Sequence, residues 1–347
     1  MPDSTATIPG EVTDALRATI DAAGITENVD LIARILATGI GLGLDGSDRL
    51  DLKITTAALS EMRAAFELFA PYTQFPKVTI FGSARTRAED ALYRQTTEVA
   101  AALAAKGWMV VTGAGPGIMQ AAAEGAGPEN SLGVSIRLPF EEKPNAIVGA
   151  NARNVAMKYF FTRKLMLVKE SRGFVCVPGG FGTLDEMFEL LTLQQTGKAE
   201  PTPIVLLDAP GGTFWKGLER FVEDQLVGSG VISPDDFERV LVTDSVDAAV
   251  AEITGFWRNY DSLRWVSKRL VLRLRHEPTD AEVDELNERF GDLLADGRIE
   301  KTAPLRAEVE DDDRLGLPRL VLRLNQFRVG RLHRLIRALN QLGSAQA

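Results

Sequence analysis

Only one cysteine and two histidines occur in 347 residues. Cys176 lies inside an apolar run, so there is no disulfide framework, and a reducing, cytoplasmic setting is expected. His276 and His333 both fall in the last quarter of the chain. Whatever chemistry the main body performs therefore proceeds without histidine as base, shuttle or metal ligand, and no zinc site is expected there. No apolar run approaches the roughly 18 residues of a membrane span. The opening MPDSTATIPGEVTD has no charged-then-apolar pattern, so no secretory signal is expected. The phosphate-loop pattern GxxxxGK(S/T) is missing, and GAGPGIM is not GxGxxG. The next expected strand, LGVSIRL, ends in Arg137 and Leu138 without a ribose-binding acid. A mononucleotide or other small phosphate ester fits better than ATP or a dinucleotide.

What is present is acid in the body and arginine in the tail. The net charge is −9, yet from Trp257 onward 17 Lys+Arg face 15 Asp+Glu, which leaves −11 for the first 256 residues. An acidic body argues against non-specific nucleic-acid binding. After Asp313 no acid occurs, while arginine stands at 314, 319, 323, 328, 331, 334 and 337. The plainer reading is a solvated face that pairs with the acidic body. The sharper one is a regulatory site for an anionic effector.

Periodicity divides the chain into a helical arm (1–75), an alternating strand–helix region (76–257) and a smaller unit (258–347). In the arm, LDLKITTAALSEMRAAFELFAPY predicts an amphipathic helix with Leu59, Met62, Ala65, Phe66 and Phe69 on one side. From Lys77, six apolar runs (KVTIFGS, GWMVVTG, LGVSIRL, GFVCVPGG, PIVLLD, RVLVTD) alternate with helical patterns, one of them expected over Ala152–Glu170. That alternation predicts the α/β class: a Rossmann-like parallel sheet with helices on both faces. In the last unit RLVLRL occurs twice, at 269–274 and 319–324, each followed by a helical pattern, which predicts a small α+β unit with a β-α repeat. The first of those helices opens with the capping-box spacing Thr279-x-x-Glu282. The second puts Leu332, Leu335, Ile336, Leu339 and Leu342 on one side.

In a parallel sheet, ligands sit beyond the carboxyl ends of the strands, where helix N-termini present free N–H groups. Three strand ends carry small residues: Gly82-Ser83-Ala84, Gly113-Ala114-Gly115-Pro116-Gly117 and Pro178-Gly179-Gly180-Phe181-Gly182-Thr183. Glycines there admit either positive φ angles or close approach of an anion to the backbone. A helix is expected to start at Thr183, which places Glu186 in its first turn. Glu186 would then either complete a capping box with Thr183 or serve chemistry. Arg163 and Lys164, on the preceding helix, favour chemistry, because an arginine beside a carboxylate holds it ionised and can also grip phosphate.

PGGFGTLDE fits PGGxGTxxE. With Arg163-Lys164 upstream and the GSAR and GAGPGIM loops, the region from about Lys77 to Phe256 resembles the Lonely Guy (LOG) family of nucleoside 5′-monophosphate phosphoribohydrolases, whose members are often mislabelled lysine decarboxylases. The YFFTRK form looks like the longer bacterial branch. The resemblance implies hydrolysis of the N-glycosidic bond of AMP-type nucleotides, N6-prenylated ones included, with no cofactor. It implies Arg163 and Glu186 as the catalytic pair. It implies substrate contacts at Lys164, Gly179, Gly180, Phe181, Gly182, Thr183 and Thr192, with Ser83 and Gly115 as lining and an acid near Glu141. A homodimer or larger homo-oligomer is implied as well. No Schiff-base lysine site for pyridoxal phosphate is apparent, which disfavours decarboxylation. Two further readings stay open: a non-catalytic nucleotide or cofactor carrier on the same fold, and a nucleic-acid-binding relative.

Overall fold

The structure, a computed structural model, describes residues 9–138, 144–149 and 153–346. The chain divides into two compact units, 1–63 and 64–347. The first holds helices α1 (Gly10–Ala22) and α2 (Val29–Leu44) and most of α3 (Arg49–Phe69). The apolar stripe of α3 is narrower than its sequence suggests. Ala65 and Phe69 are buried, but Leu59 and Phe66 are exposed. Phe66 instead offers its ring to the Lys169 ammonium, 5.4 Å from the centroid, a use open to an aromatic at the surface.

The second unit opens with the predicted alternation: β1 (Lys77–Phe81), α4 (Ala91–Ala105), β2 (Met109–Thr112), α5 (Ile118–Ala126), β3 (Ser131–Ile136) and the short α6 (Ala146–Gly149). It continues with β4 (Asn154–Met157), α7 (Phe160–Lys169), β5 (Gly173–Cys176), α8 (Phe181–Gln195), β6 (Ile204–Leu207), α9 (Phe214–Phe221), β7 (Val240–Thr243) and α10 (Val246–Gly255). Seven parallel strands form one sheet in the order β4-β3-β2-β1-β5-β6-β7. The central strands are covered on both faces, which is why they read as unbroken apolar runs. Val78, Ile80, Val110, Val175 and Val205 pack in one cluster with Leu103 of α4, Ile118 of α5 and Ile253 of α10. On the other face the Thr79 hydroxyl donates to the Leu167 carbonyl of α7 at 2.9 Å.

One expectation fails here. The helix predicted over Ala152–Glu170 begins only at Phe160, and Asn154–Met157 adds a seventh strand at the edge. Its Val155 and Met157 face the core while Asn154 and Ala156 are half-buried, the alternation of an edge strand rather than a helical period.

The remainder is β8 (Tyr260–Val266), β9 (Arg269–Leu274), α11 (Asp280–Phe290), β10 (Leu294–Lys301), α12 (Arg306–Glu310), β11 (Arg319–Leu324) and α13 (Leu332–Leu339). The two RLVLRL copies, β9 and β11, lie side by side in an antiparallel sheet of order β10-β11-β9-β8, with Leu320 opposite Leu272. The outer strands β8 and β10 were not anticipated. The capping box opens α11 as predicted: Thr279 Oγ1 accepts from the Glu282 N–H at 3.2 Å, and Glu282 Oε2 accepts from the Thr279 N–H at 2.7 Å. Leu332, Leu335, Ile336, Leu339 and Leu342 are all buried. This sheet shares its apolar core with the parallel one through Phe256, Trp257 and Tyr260. Asn340 locks the junction. Its Oδ1 accepts from the N–H groups of Asn259 and Tyr260, and its amide donates to the Phe256 carbonyl at 2.6 Å.

Each of the seven tail arginines pairs with a carboxylate. Arg328, Arg334 and Arg337 reach Asp235, Glu238 and Glu252 of the α/β body. Arg314, Arg319, Arg323 and Arg331 reach Asp261, Glu308, Asp296 and Asp292 of their own sheet region. Among the described residues no helix is long and apolar enough to cross a membrane.

Candidate active site

The chain builds the sheet outward from β1 to β4, then returns to place β5 on the other side of β1. Strand order reverses between β1 and β5, the topological switch point where such sheets bind ligands beyond their carboxyl ends. The three small-residue loops follow β2, β1 and β5, which are neighbours, so they emerge side by side. They also touch. The Ile118 N–H at the start of α5 donates to the Ser83 carbonyl at 3.0 Å. A Cβ on Gly179 would lie 2.2 Å from Thr183 Oγ1 and 3.1 Å from the Ser83 nitrogen.

The glycines of the PGGFGT bend serve approach rather than φ. None of Gly179, Gly180 and Gly182 has a positive φ. Gly179 is glycine because Thr183 packs beneath it, whereas a Cβ on Gly180 or Gly182 would meet nothing within 4 Å. Their backbone thus lies open at the start of α8, as an anion cradle requires. Phe181 between them is 93% exposed, and Thr183 is buried.

Helix α8 starts at Phe181 with Gly180 as its N-cap, two residues earlier than expected. The bend is complete by Gly180, so Thr183 is the third helical residue and Glu186 the sixth. Glu186 is therefore past the first turn and completes no capping box with Thr183. It meets Arg163 instead, with Nη1 3.5 Å from Oε1 and each side chain 12% exposed. Arg163 projects from the second turn of α7, and its Nε donates to the Val134 carbonyl of β3 at 2.9 Å. A Cβ on Gly113 would come within 2.0 Å of Arg163 Nη2, so that glycine leaves room for the guanidinium. Burial pushes the Glu186 carboxyl above its ordinary pKa, against the opposing pull of Arg163 and Lys164.

Lys164 turns to α8 as well. Its ammonium lies 2.6 Å from both Asp185 Oδ2 and Glu189 Oε2. Burial works to lower its pKa, but the two carboxylates win and raise it. Asp185 and Glu189 flank Glu186 in sequence, and only their spacing of one and three residues from it could have drawn attention to them. Asn145 carried no sequence signal. Its amide donates to the Gly115 carbonyl at 3.1 Å and its N–H to the Ala114 carbonyl at 2.9 Å. Ala114 is fully buried at φ +60°, a non-glycine in the left-handed region, which is the kind of strain that clusters at functional loops. Ser83 Oγ accepts from the Arg85 N–H at 3.1 Å.

The structure thus brings together Ser83, Gly115, Arg163, Lys164, Gly179 to Thr183 and Glu186 around one strand-end crevice. Thr192 lies elsewhere. Six residues beyond Glu186 on α8, it donates to the Phe188 carbonyl at 2.8 Å and lines a cavity of about 100 Å³ with Phe188, Leu226 and Phe237. Glu141 lies outside the described residues.

The family described as possible lysine decarboxylase matches residues 117–253. A cytokinin riboside 5′-monophosphate phosphoribohydrolase of Mycobacterium tuberculosis is 32% identical over 46% of this chain and 83% of its own. The protein of that name from Mycobacterium marinum is 31% identical over 44% and 80%. The chain belongs to the LOG family of nucleotide phosphoribohydrolases. Among solved structures, the molybdenum cofactor binding protein from Rippkaea orientalis aligns with 52% of this chain and 96% of its own at 20% identity and a TM-score of 0.39. For a LOG-family chain the lysine decarboxylase description names no chemistry that the strand-end crevice displays, because its paired groups are Arg163 with Glu186 and Lys164 with two acids.

Proposed function

We propose that this protein hydrolyses the N-glycosidic bond of a nucleoside 5′-monophosphate of AMP type, N6-prenylated AMP included, to free base and ribose 5-phosphate. The observation that carries the reading is the half-buried Arg163–Glu186 pair beside the open backbone of Gly180 and Gly182 at the switch point. Cleavage of C1′–N passes through an oxocarbenium-like sugar. Glu186 stabilises the positive charge developing at C1′ and takes a proton from the attacking water. The water oxygen bonds to C1′ as the C1′–N bond breaks with its electron pair on the base. The base takes a proton from solvent, and Glu186 returns the water's proton to solvent. A raised pKa suits a group that must accept and return a proton near neutral pH. Arg163, anchored on Val134, orients Glu186 and the substrate, and the bend holds the 5′-phosphate. Lys164, gripped by Asp185 and Glu189, fixes α7 against α8 at the phosphate end.

The active unit in this reading is a homodimer or larger, in a reducing cytoplasmic setting. Exposed Phe160, Phe161, Leu165, Phe181 and Phe188 on α7 and α8 support self-association, since large apolar side chains clustered at a surface mark contact sites. The test is to incubate the protein with AMP, GMP, CMP, UMP and N6-isopentenyl-AMP, each beside its nucleoside, and to quantify base and ribose 5-phosphate. Release from a monophosphate alone, lost in Glu186→Gln, is the expected result. Binding without release overturns the reading in favour of a carrier.

A further inference from the structure

At the opposite, amino end of the parallel sheet a cavity of about 600 Å³ opens between the far ends of α7 and α8 and the antiparallel sheet. That is within the span of roughly 300–1,000 Å³ typical of small-molecule sites. Gln194, in its wall, stands eight residues beyond Glu186, about 12 Å along the helix. Its wall reaches back along the helices to Leu165 and Leu190 but includes none of Arg163, Lys164, Glu186 and the glycine loops.

Its polar groups are incompletely answered. Gln194 is 3% exposed, and its Nε2 donates to the Thr202 carbonyl at 3.2 Å and to Thr202 Oγ1 at 2.6 Å. A carbonyl can only accept, so the amide's orientation is fixed. Gln194 Oε1 is left buried with no donor among the described residues. The charge balance is positive: Lys169, Arg172, Lys198 and Arg314 line the cavity against Glu200 and Asp261. Arg314 is answered by Asp261 and Lys169 by Glu170. Arg172 has the Trp257 ring at 4.0 Å and the Asp261 carbonyl at 3.3 Å, but forms no ion pair among the described residues. Lys198, at the cavity's edge, forms none there either.

We propose that this cavity binds a small hydroxylated anion, its acidic group against Arg172 and Lys198 and a hydroxyl donated to Gln194 Oε1. Phosphate and carboxylate share the chemistry that the cations recognise, and ribose 5-phosphate and citrate distinguish them as probes. The experiment is calorimetric titration of the full chain with each probe, in wild type and in Arg163→Ala. In Arg163→Ala one event per chain is expected to remain with at least one probe. Lys198→Glu and Gln194→Leu, each added to that background, should weaken it at least about tenfold. Lys198 is an exposed loop residue, so its variant keeps the test informative should Gln194→Leu fail to fold. No binding in Arg163→Ala, or binding that Lys198→Glu leaves unchanged, overturns the proposal. Failure of the phosphoribohydrolase reading looks different: the Arg163-dependent event disappears from wild type while this one stays.

Discussion

Two arginine–glutamate pairs in this molecule, one buried and one half-buried, are built from the same side chains to opposite ends. In the antiparallel sheet, Glu308 Oε1 accepts from Arg273 Nε at 3.0 Å and Nη2 at 2.8 Å, with Arg319 Nε 3.5 Å away. Glu308 Oε2 accepts from the Leu305 N–H at 3.0 Å, and Arg273 also reaches Asp313 at 2.6 Å. Arg273 and Leu305 together donate three hydrogen bonds of 2.8 to 3.0 Å, which brings this carboxylate much nearer to saturation than a single contact would. Among the described residues Glu186, at the strand-end crevice, is held by one contact at 3.5 Å and lies beside an open glycine bend. A buried carboxylate held by several short donors stabilises the fold and has little left to offer a substrate. One left partly unsatisfied costs stability and keeps its lone pairs for water and a reacting sugar.

The largest expected effect tests the more nearly saturated pair. Glu308→Gln leaves Arg319 buried without its counterion and Arg273 with Asp313 alone, and breaking such a pair costs about 3–5 kcal/mol. The urea midpoint should fall accordingly, while base release per folded molecule stays unchanged. A midpoint near wild type would show that the network is no tighter than the pair at the crevice.

Glu186→Gln should behave inversely. Base release should drop about 10²-fold or more on the magnitude of general acid–base catalysis. Stability at neutral pH should be retained or gained. A carboxyl whose folded pKa is raised loses stability as pH climbs through its unfolded value, near 4.5, towards the folded one. The amide mimics the neutral form that the site prefers. Melting temperatures of variant and wild type should therefore converge as pH falls below about 4.5 and separate above it. For the same reason the acid limb of the wild-type pH–rate profile should lie above the ordinary carboxylate range. A variant that melts lower than wild type at pH 7 breaks the contrast. Arg163→Lys is milder: an ammonium cannot bridge the Val134 carbonyl and Glu186 together, so kcat/KM should fall about tenfold to a hundredfold.

Much of this contrast was legible beforehand, and the reasons for the rest are physical. Buried parallel strands such as Lys77–Phe81 and Gly173–Cys176 are apolar on both faces and announce themselves. The edge strand Asn154–Met157 and the outer strands Tyr260–Val266 and Leu294–Lys301 are half-polar, and their partners across the sheet supply what the local pattern lacks. Arg163 and Glu186 stood out by motif. Their depth did not, because the helix start at Phe181 depends on how the Gly179 bend packs over Thr183. The tail arginines were visible as charge. Their partners were not, since Asp235, Glu238 and Glu252 lie some 85 to 96 residues away in sequence and meet them only through the fold.

The smallest expected effect sets a third carboxylate between the two extremes. Glu282 closes the capping box of α11 at the surface, and although partial burial works against it, N–H groups of Ser344 and Thr279 pull its pKa down to about 2. A depressed carboxyl contributes stability that is present above its unfolded pKa and lost as pH falls towards the folded one. Solvent screens this surface group and glutamine keeps the capping acceptor, so Glu282→Gln should cost only about 0.5 kcal/mol at pH 7. This deficit should shrink between pH 4.5 and about 2, whereas Glu186→Gln carries an advantage over wild type that is lost as pH falls to about 4.5. Parallel acid titrations of the two variants by circular dichroism would show it. Gaps of the same sign would mean that burial, rather than the number of donors around each carboxylate, separates structural from reactive acids in this protein.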